Sequence, residues 1–130
     1  MKAKTAAIIG TALFLGTLLQ GPLFSEETGQ DRVVRLAELE IDPAQLEPYK
    51  AALKEEIATS IRVEPGVLAL YAVSVKDHPA QIRLFEMYAN QSAYEKHLQS
   101  PHFKKYKGAT AGMVKSLKLL ETDPILLKAK

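Results

Sequence analysis

Glu86-Met87-Tyr88-Ala89-Asn90-Gln91-Ser92-Ala93-Tyr94-Glu95-Lys96-His97 is the run on which the reading of this chain turns. Leu84, Glu86 and Tyr88 stand two apart, the spacing that puts side chains on one face of a strand. Ser92 followed three residues later by Glu95 has the form of a capping box and predicts a helix starting there. Tyr94, His97 and Leu98, at i, i+3 and i+4, then share one face of that helix. A strand carrying a carboxylate and a phenol is thus followed by a helix that carries an imidazole toward the same space. Ser100-Pro101-His102-Phe103 restarts the chain as a second helical piece, with Ser100 as N-cap and Pro101 at the first helical position.

Working outward from this run, Val33 to Ile41 alternates in side-chain character and reads as the first strand. Asp42-Pro43 then starts a helix whose apolar positions Leu46, Tyr49, Leu53, Ile57 and Ile61 recur at three and four residues, to about Arg62. Pro48 removes a backbone donor inside it, so either the first turn is separate or the helix proper begins at Pro48. Glu64-Pro65-Gly66 ends the helix. Val67 to Val75 is a second strand, apolar on both faces and therefore expected to be covered on both sides. Lys76-Asp77-His78-Pro79 is read as a turn and Gln81 to Tyr88 as the third strand of a hairpin. Helical pieces follow over 92–99 and 101–112, then a fourth strand from Lys115 to Leu120. The order is β-α-β-β-α-β, an α+β ferredoxin-like pattern with a four-stranded antiparallel sheet. Helices on one face leave the other bare, and a second copy of the chain is the economical cover. The apolar Ile125-Leu126-Leu127 tail, within 121–130, is expected to pack on a neighbour.

Composition narrows the function classes. The 130 residues are 47% hydrophobic and 25% charged, enough for one domain. A formal net charge of +2, without a basic patch or recognition motif, argues against nucleic acid as a partner. The absence of cysteine removes disulfides, thiolate metal sites and a cysteine nucleophile. Residues 1–25 stand apart: a basic start at Lys2 and Lys4, an apolar run from Thr5 to Leu19, and a Gly21-Pro22 break. This is the order of a secretory signal peptide, with Ser25 as the small residue before cleavage, so export to the periplasm or medium is expected. Retained, the same run approaches the ~20 residues that span a bilayer and would be the chain's only membrane attachment. Residues 26–32 read as a linker and 33–120 as the folded domain.

The ordered set Ala37-Glu38-Leu39-Glu40, Glu64-Pro65-Gly66, Glu86 with Tyr88, Ser92-Ala93-Tyr94, His97 and Ser100-Pro101-His102-Phe103 resembles the antibiotic biosynthesis monooxygenase family, the quinol-monooxygenase-like dimeric α+β barrels. The resemblance covers about 33–120. It implies a small homodimer with a pocket between sheet and helices, and usually no metal, flavin or haem. It leaves the reaction open, since members also include haem-degrading enzymes and an isomerase. Tyr88 stands where the family usually has Trp, and the first strand lacks the Asn of the haem-degrading branch, so haem degradation is disfavoured.

The chemistry implied is oxygenation without a cofactor. A quinol or anthrone loses a proton and its electron-rich anion reacts with O2, which requires a base, an apolar pocket and donors where charge develops. His97 is the natural base because imidazole titrates near neutrality, and Glu86 is expected to orient it or bind a substrate hydroxyl, beside Tyr88. Tyr71, Tyr94 and Phe103 are candidate aromatic walls, and Asn90 and His102 candidate polar contacts with a small aromatic substrate. The same residues have plainer readings: Tyr94 and Phe103 as core, His102 as solvated, His78 as exposed in its turn. His97 and His102, five apart, lack the i, i+4 spacing of a helical metal pair, so no metal is expected. The alternative function is a non-catalytic module that holds an apolar ligand in the same pocket.

Overall fold

The computed structural model describes residues 31–130, so the expected signal segment 1–25 and nearly all of the linker lie outside the described residues. The elements are β1 (Val33–Ile41), a single 3-10 turn (Pro43–Gln45), α1 (Leu46–Val63), β2 (Val67–Val75), β3 (His78–Tyr88), α2 (Gln91–Gln99), α3 (Pro101–Thr110) and β4 (Val114–Thr122). The strands form one antiparallel sheet in the order β2-β3-β1-β4, the ferredoxin-like topology expected from the sequence. Among the described residues no helix is long and apolar enough to cross a membrane.

The alternation of β1 sends Ala37, Leu39 and Ile41 to the face covered by helices. There they meet Tyr49 and Leu53 of α1, Ile82 of β3 and Tyr106 of α3. Leu36, Tyr71 and Val73 sit on the opposite face, where Leu36 pairs with Phe85 across β1–β3 and Tyr71 pairs with Phe85 across β2–β3. That face is open, with Tyr71 at 64% and Val73 at 60% exposure. β2 is thus covered on one side only within the described chain.

Several local expectations are corrected. The start of α2 is capped by Asn90, whose side chain accepts from the Ala93 amide at 2.9 Å, and not by Ser92, which lies inside the helix. Asn90 is extended and so presents its carbonyl to the exposed amides of the first turn, two residues before the expected cap. Glu95 accepts from Gln91 instead of closing a box. The β2–β3 turn is only Lys76-Asp77, with Asp77 at φ 65°, a left-handed conformation that aspartate tolerates. His78 and Pro79 belong to β3; Pro79 is accommodated because β1 pairs with β3 only from Gln81 onward. The start of α1 does form a separate turn, capped by Asp42, and Pro48 falls among the first amides that lack helical acceptors anyway. The buried stripe of α1 is Tyr49, Leu53, Glu56 and Ser60, whereas Ile61 is 49% exposed.

Gly66, in the turn between α1 and β2, touches α2 closely: a Cβ there would lie 2.5 Å from the Ala93 Cβ. Its carbonyl accepts from the Ala89 amide at 2.9 Å, tying this turn to the chain entering α2.

In the core, the hydroxyls of Tyr49 and Tyr106 are each other's partner at 2.8 Å. Tyr49→Phe should therefore destabilise by about 1–3 kcal/mol, because it leaves the buried Tyr106 hydroxyl unpaired. Replacing both by Phe should recover most of that loss, and chemical denaturation of the single and double variants measures the difference.

Candidate active site

Three helical segments converge on one imidazole. His97 sits in the last turn of α2, 3% exposed, and its ring packs on Phe103 at 4.8 Å and Tyr88 at 5.3 Å between centroids. Its Nδ1 lies 2.8 Å from Glu64 Oε2, and its Nε2 lies 3.5 Å from Glu56 Oε1. The same Glu64 oxygen lies 2.7 Å from His102 Nε2. Glu56 is itself buried and accepts from the Ser60 hydroxyl at 2.7 Å.

The local sequence explains the convergence. Ser100 is extended ahead of Pro101, which breaks the helix and turns the chain between α2 and α3. Its hydroxyl donates to the His97 carbonyl at 2.7 Å, and its oxygen accepts from the Phe103 amide at 3.3 Å. The break brings His102 round to His97, with ring centroids 6.2 Å apart. Sequence separation in one helix is therefore not the relevant measure for this pair. Glu64 caps the C-terminus of α1, directly before Pro65-Gly66, so the end of α1 supplies the shared carboxylate.

Glu64 fixes the protons on both rings. Burial pushes its carboxyl upward, but the hydrogen bonds and charges of His97 and His102 outweigh this and hold it below its ordinary value. An ionised carboxylate only accepts, so His97 Nδ1 and His102 Nε2 both donate to it. His97 Nε2 is left facing Glu56 and the cleft. Glu56, His97 and His102 also place ligand-type atoms within 4.8 Å of one another, a grouping that can hold a cation. Glu64 already occupies one nitrogen of each ring, however.

The cleft lies between the sheet and α1 and α3 and encloses about 20 Å³, room for about one water molecule. Leu53, Ile57, Leu70 and Leu84 make apolar walls, Phe103 and Tyr106 the aromatic ones, and Glu56, Glu86 and His97 the polar floor; Tyr71 and Phe85 border it from their strands, with their rings together on the open face, 6.2 Å apart. Glu86, on the helix-side face of β3, accepts from the Tyr88 hydroxyl at 3.0 Å. Burial pushes the Glu86 carboxyl above its ordinary value, against the opposing hydrogen bond from Tyr88.

Of the residues singled out in the sequence, His97, Glu86 and Phe103 line this cleft, while Tyr71 only borders it from β2, its ring on the open face against Phe85. Tyr88 is fully buried behind it and reaches it through Glu86. Tyr94 packs on the far side of Tyr88, at 5.1 Å, beneath the Arg35 guanidinium at 4.6 Å. Asn90 is a helix cap and lines a separate hollow beside Gly66 and Lys96. His102 is not the solvated side chain expected, because Glu64 binds it, and it lines a hollow between α1 and α3. His97 is oriented by Glu64 and not by Glu86. Glu56, Ser60 and Glu64 were not anticipated. Glu56 and Ser60 continue the Tyr49, Leu53 stripe of α1, and that position was their only signal.

The residues 32–109 match the family model described as antibiotic biosynthesis monooxygenase. No curated protein matches the chain. Among solved structures, an assigned antibiotic biosynthesis monooxygenase from Bacteroides thetaiotaomicron VPI-5482 is 48% identical, over 79% of this chain and 100% of that one, with TM-score 0.77. An assigned monooxygenase from Lactobacillus acidophilus NCFM is 36% identical over 73% of this chain, with TM-score 0.70, and this chain spans only 45% of its length. A Nitrosomonas europaea protein shares the fold at 20% identity and TM-score 0.69.

The two carboxyls shifted in opposite senses predict opposite pH behaviour in thermal melts. Glu86, raised in the folded state, stabilises in its protonated form; that contribution is complete below its unfolded pKa and lost as pH rises through the folded one. Glu86→Gln should raise Tm at pH 7–8 and leave it unchanged near pH 4. Glu64, lowered in the folded state, contributes above its unfolded pKa, and the contribution disappears as pH falls through the folded one. Glu64→Gln should lower Tm at neutral pH, with the deficit closing in acid.

Proposed function

Because the chain belongs to the antibiotic biosynthesis monooxygenase family, we propose that it is an exported, cofactor-independent monooxygenase of quinol-like aromatic substrates. The observation that carries this reading is the cleft in which His97 Nε2 stands beside Glu56 and Glu86 among aromatic and aliphatic walls. The cleft encloses only about 20 Å³, so an aromatic ring enters it as wall side chains such as Phe103 move outward.

The reaction divides between substrate and protein. The substrate supplies the electrons and O2 accepts them. His97 Nε2 takes the hydroxyl proton, while Glu64 holds the ring through Nδ1. The imidazolium so formed lies between the carboxylates of Glu64 and Glu56, which stabilise the positive charge as it develops. Glu86 accepts a second substrate hydroxyl or, protonated, donates to the oxygen where negative charge appears. Phe103 offers the face on which the aromatic ring stacks.

A homodimer through the open sheet face belongs to the same proposal. Leu36, Tyr71 and Val73 are exposed there, and covering large apolar side chains contributes about 1.5–3 kcal/mol each. Ile125 and Leu126 of the tail, both exposed, offer further apolar surface to a partner.

Oxygen uptake by metal-free protein with a panel of benzo- and naphthohydroquinones and anthrones should exceed autoxidation for at least one member. His97→Ala should then lower turnover by roughly 10²–10⁴-fold while the protein remains folded. Uptake at the autoxidation blank for the whole panel removes the oxygenase reading. Ligand retention without turnover would instead identify a binding module. Light scattering of the exported protein should give the mass of two subunits, and N-terminal sequencing should begin at Glu26; a one-subunit mass or an intact Met1 contradicts the respective expectation.

A further inference from the structure

We propose that Glu56, His97 and His102 form a binding site for one divalent cation of the zinc type, between the cleft and the hollow that separates α1 from α3. Glu56 Oε1 and His97 Nε2 lie 3.5 Å apart. Two metal bonds of about 2.1 Å at a tetrahedral angle hold their donor atoms about 3.4 Å apart. This pair already has the spacing of two ligands on one ion. A ligand-type atom of His102 completes a set that falls within 4.8 Å. His102 is the least buried of the three, at 16% exposure against 6% for Glu56 and 3% for His97. Closing the set therefore asks movement chiefly of that ring. α1, α2 and α3 each supply one ligand, which is why no spacing within a single helix announces the site. Glu56 and His102 also line the hollow between α1 and α3, about 230 Å³ in volume, and that hollow is the way in from solvent.

Glu64 prepares both rings for this role. His97 Nδ1 and His102 Nε2 donate to its carboxylate, so each neutral ring keeps a lone pair on its other nitrogen. A histidine whose second nitrogen donates to a carboxylate is held in the ligating tautomer and made more basic toward a metal. The Ser60 hydroxyl, donating to Glu56 at 2.7 Å, steadies the third ligand in the same way. The charge balance suits a dication. Glu56 and Glu86 line the cleft with His97, Glu64 holds its far nitrogen, and the one ammonium lining the hollow, Lys105, is paired with Glu55. Two imidazoles and one carboxylate suit zinc, cobalt or nickel ions, whereas magnesium and calcium ask for oxygen donors. Three protein ligands leave a fourth position for water, and the cleft beside His97 has room for about one molecule. The bound ion takes the Nε2 lone pair that proton abstraction needs, so on the reading of His97 as the base it inhibits turnover.

Cobalt tests the site without any substrate. The tag-free full chain, stripped with EDTA, is titrated with Co2+ and followed by visible absorption and by paramagnetically shifted proton NMR. One equivalent per chain should give the d–d band of a four- or five-coordinate ion and shifted ring protons from two histidines. Zn2+ should displace it, and Mg2+ in excess should not. Glu64→Gln should weaken binding about 10–100-fold, the usual effect of losing a carboxylate behind a ligand, and His102→Ala at least as much. Glu56→Gln serves the same end should the alanine variant not fold. The remaining histidine, His78, is exposed on β3, and His78→Ala should bind as the parent does. No saturable band, or parental affinity in His102→Ala, overturns the proposal. Loss of the band in His78→Ala identifies an adventitious ion only and overturns it too. In the oxygen-uptake assay Zn2+ should suppress turnover and EDTA restore it; full turnover with the ion bound overturns its placing on Nε2. A parent without turnover defeats the oxygenase reading alone, because the cobalt spectrum still decides the site.

Discussion

One carboxylate oxygen organises the functional half of this molecule. Glu64 Oε2 accepts from His97 and His102 together and so joins the end of α1 to α2 and α3. A buried polar group without a partner costs more than its bond returns, so the three side chains are stable only as a set. The set also decides chemistry. A carboxylate that can only accept dictates which nitrogen of each ring carries hydrogen, and it leaves the remaining nitrogen of His97 turned to the cleft. Orientation, protonation and helix packing are thereby fixed by a single contact.

Acidic side chains surround this imidazole in three different settings. Glu64 is held ionised by two donors, whereas Glu86, against the sheet, is drawn toward its neutral form by burial. Glu56 faces the imidazole from α1 with a serine hydroxyl on its oxygen. Carboxyls pushed apart in this way permit one to remain an anion while another donates or accepts a proton. An apolar cleft lined by Leu70, Leu84 and Phe103 strengthens each of these charges by excluding water.

Strand and turn chemistry made the fold legible. β1 and β2 run over the residues that their alternation and β-branched content marked, and the Asp42-Pro43 and Ser100-Pro101 pairs start their helical pieces as the capping rules require. Errors fell where two local signals competed. Asn90 and Ser92 are both good caps, and the extended backbone at Asn90 decided between them. Pro79 reads as a turn residue but sits in β3, ahead of its pairing with β1. Half the site was legible because His97 and Glu86 lie on faces set by simple periods. The other half was hidden in α1, where glutamates are good helix formers and read as solvent-facing. Only the strict continuation of Tyr49 and Leu53 into Glu56 and Ser60 marks a buried face. Glu64 lies beyond that stripe, at the helix end, and its partners are more than thirty residues away.

Gly66 and Ala93 share a space that holds one methyl group. The turn carrying Gly66 begins at Glu64, and the helix carrying Ala93 ends near His97, so their separation also gauges the distance from carboxylate to imidazole. Residues 66 and 93 should accordingly vary as a pair in related chains. An alanine at the first would call for a glycine at the second, conserving their joint volume and, with it, the span of the hydrogen bond four residues farther along the helix.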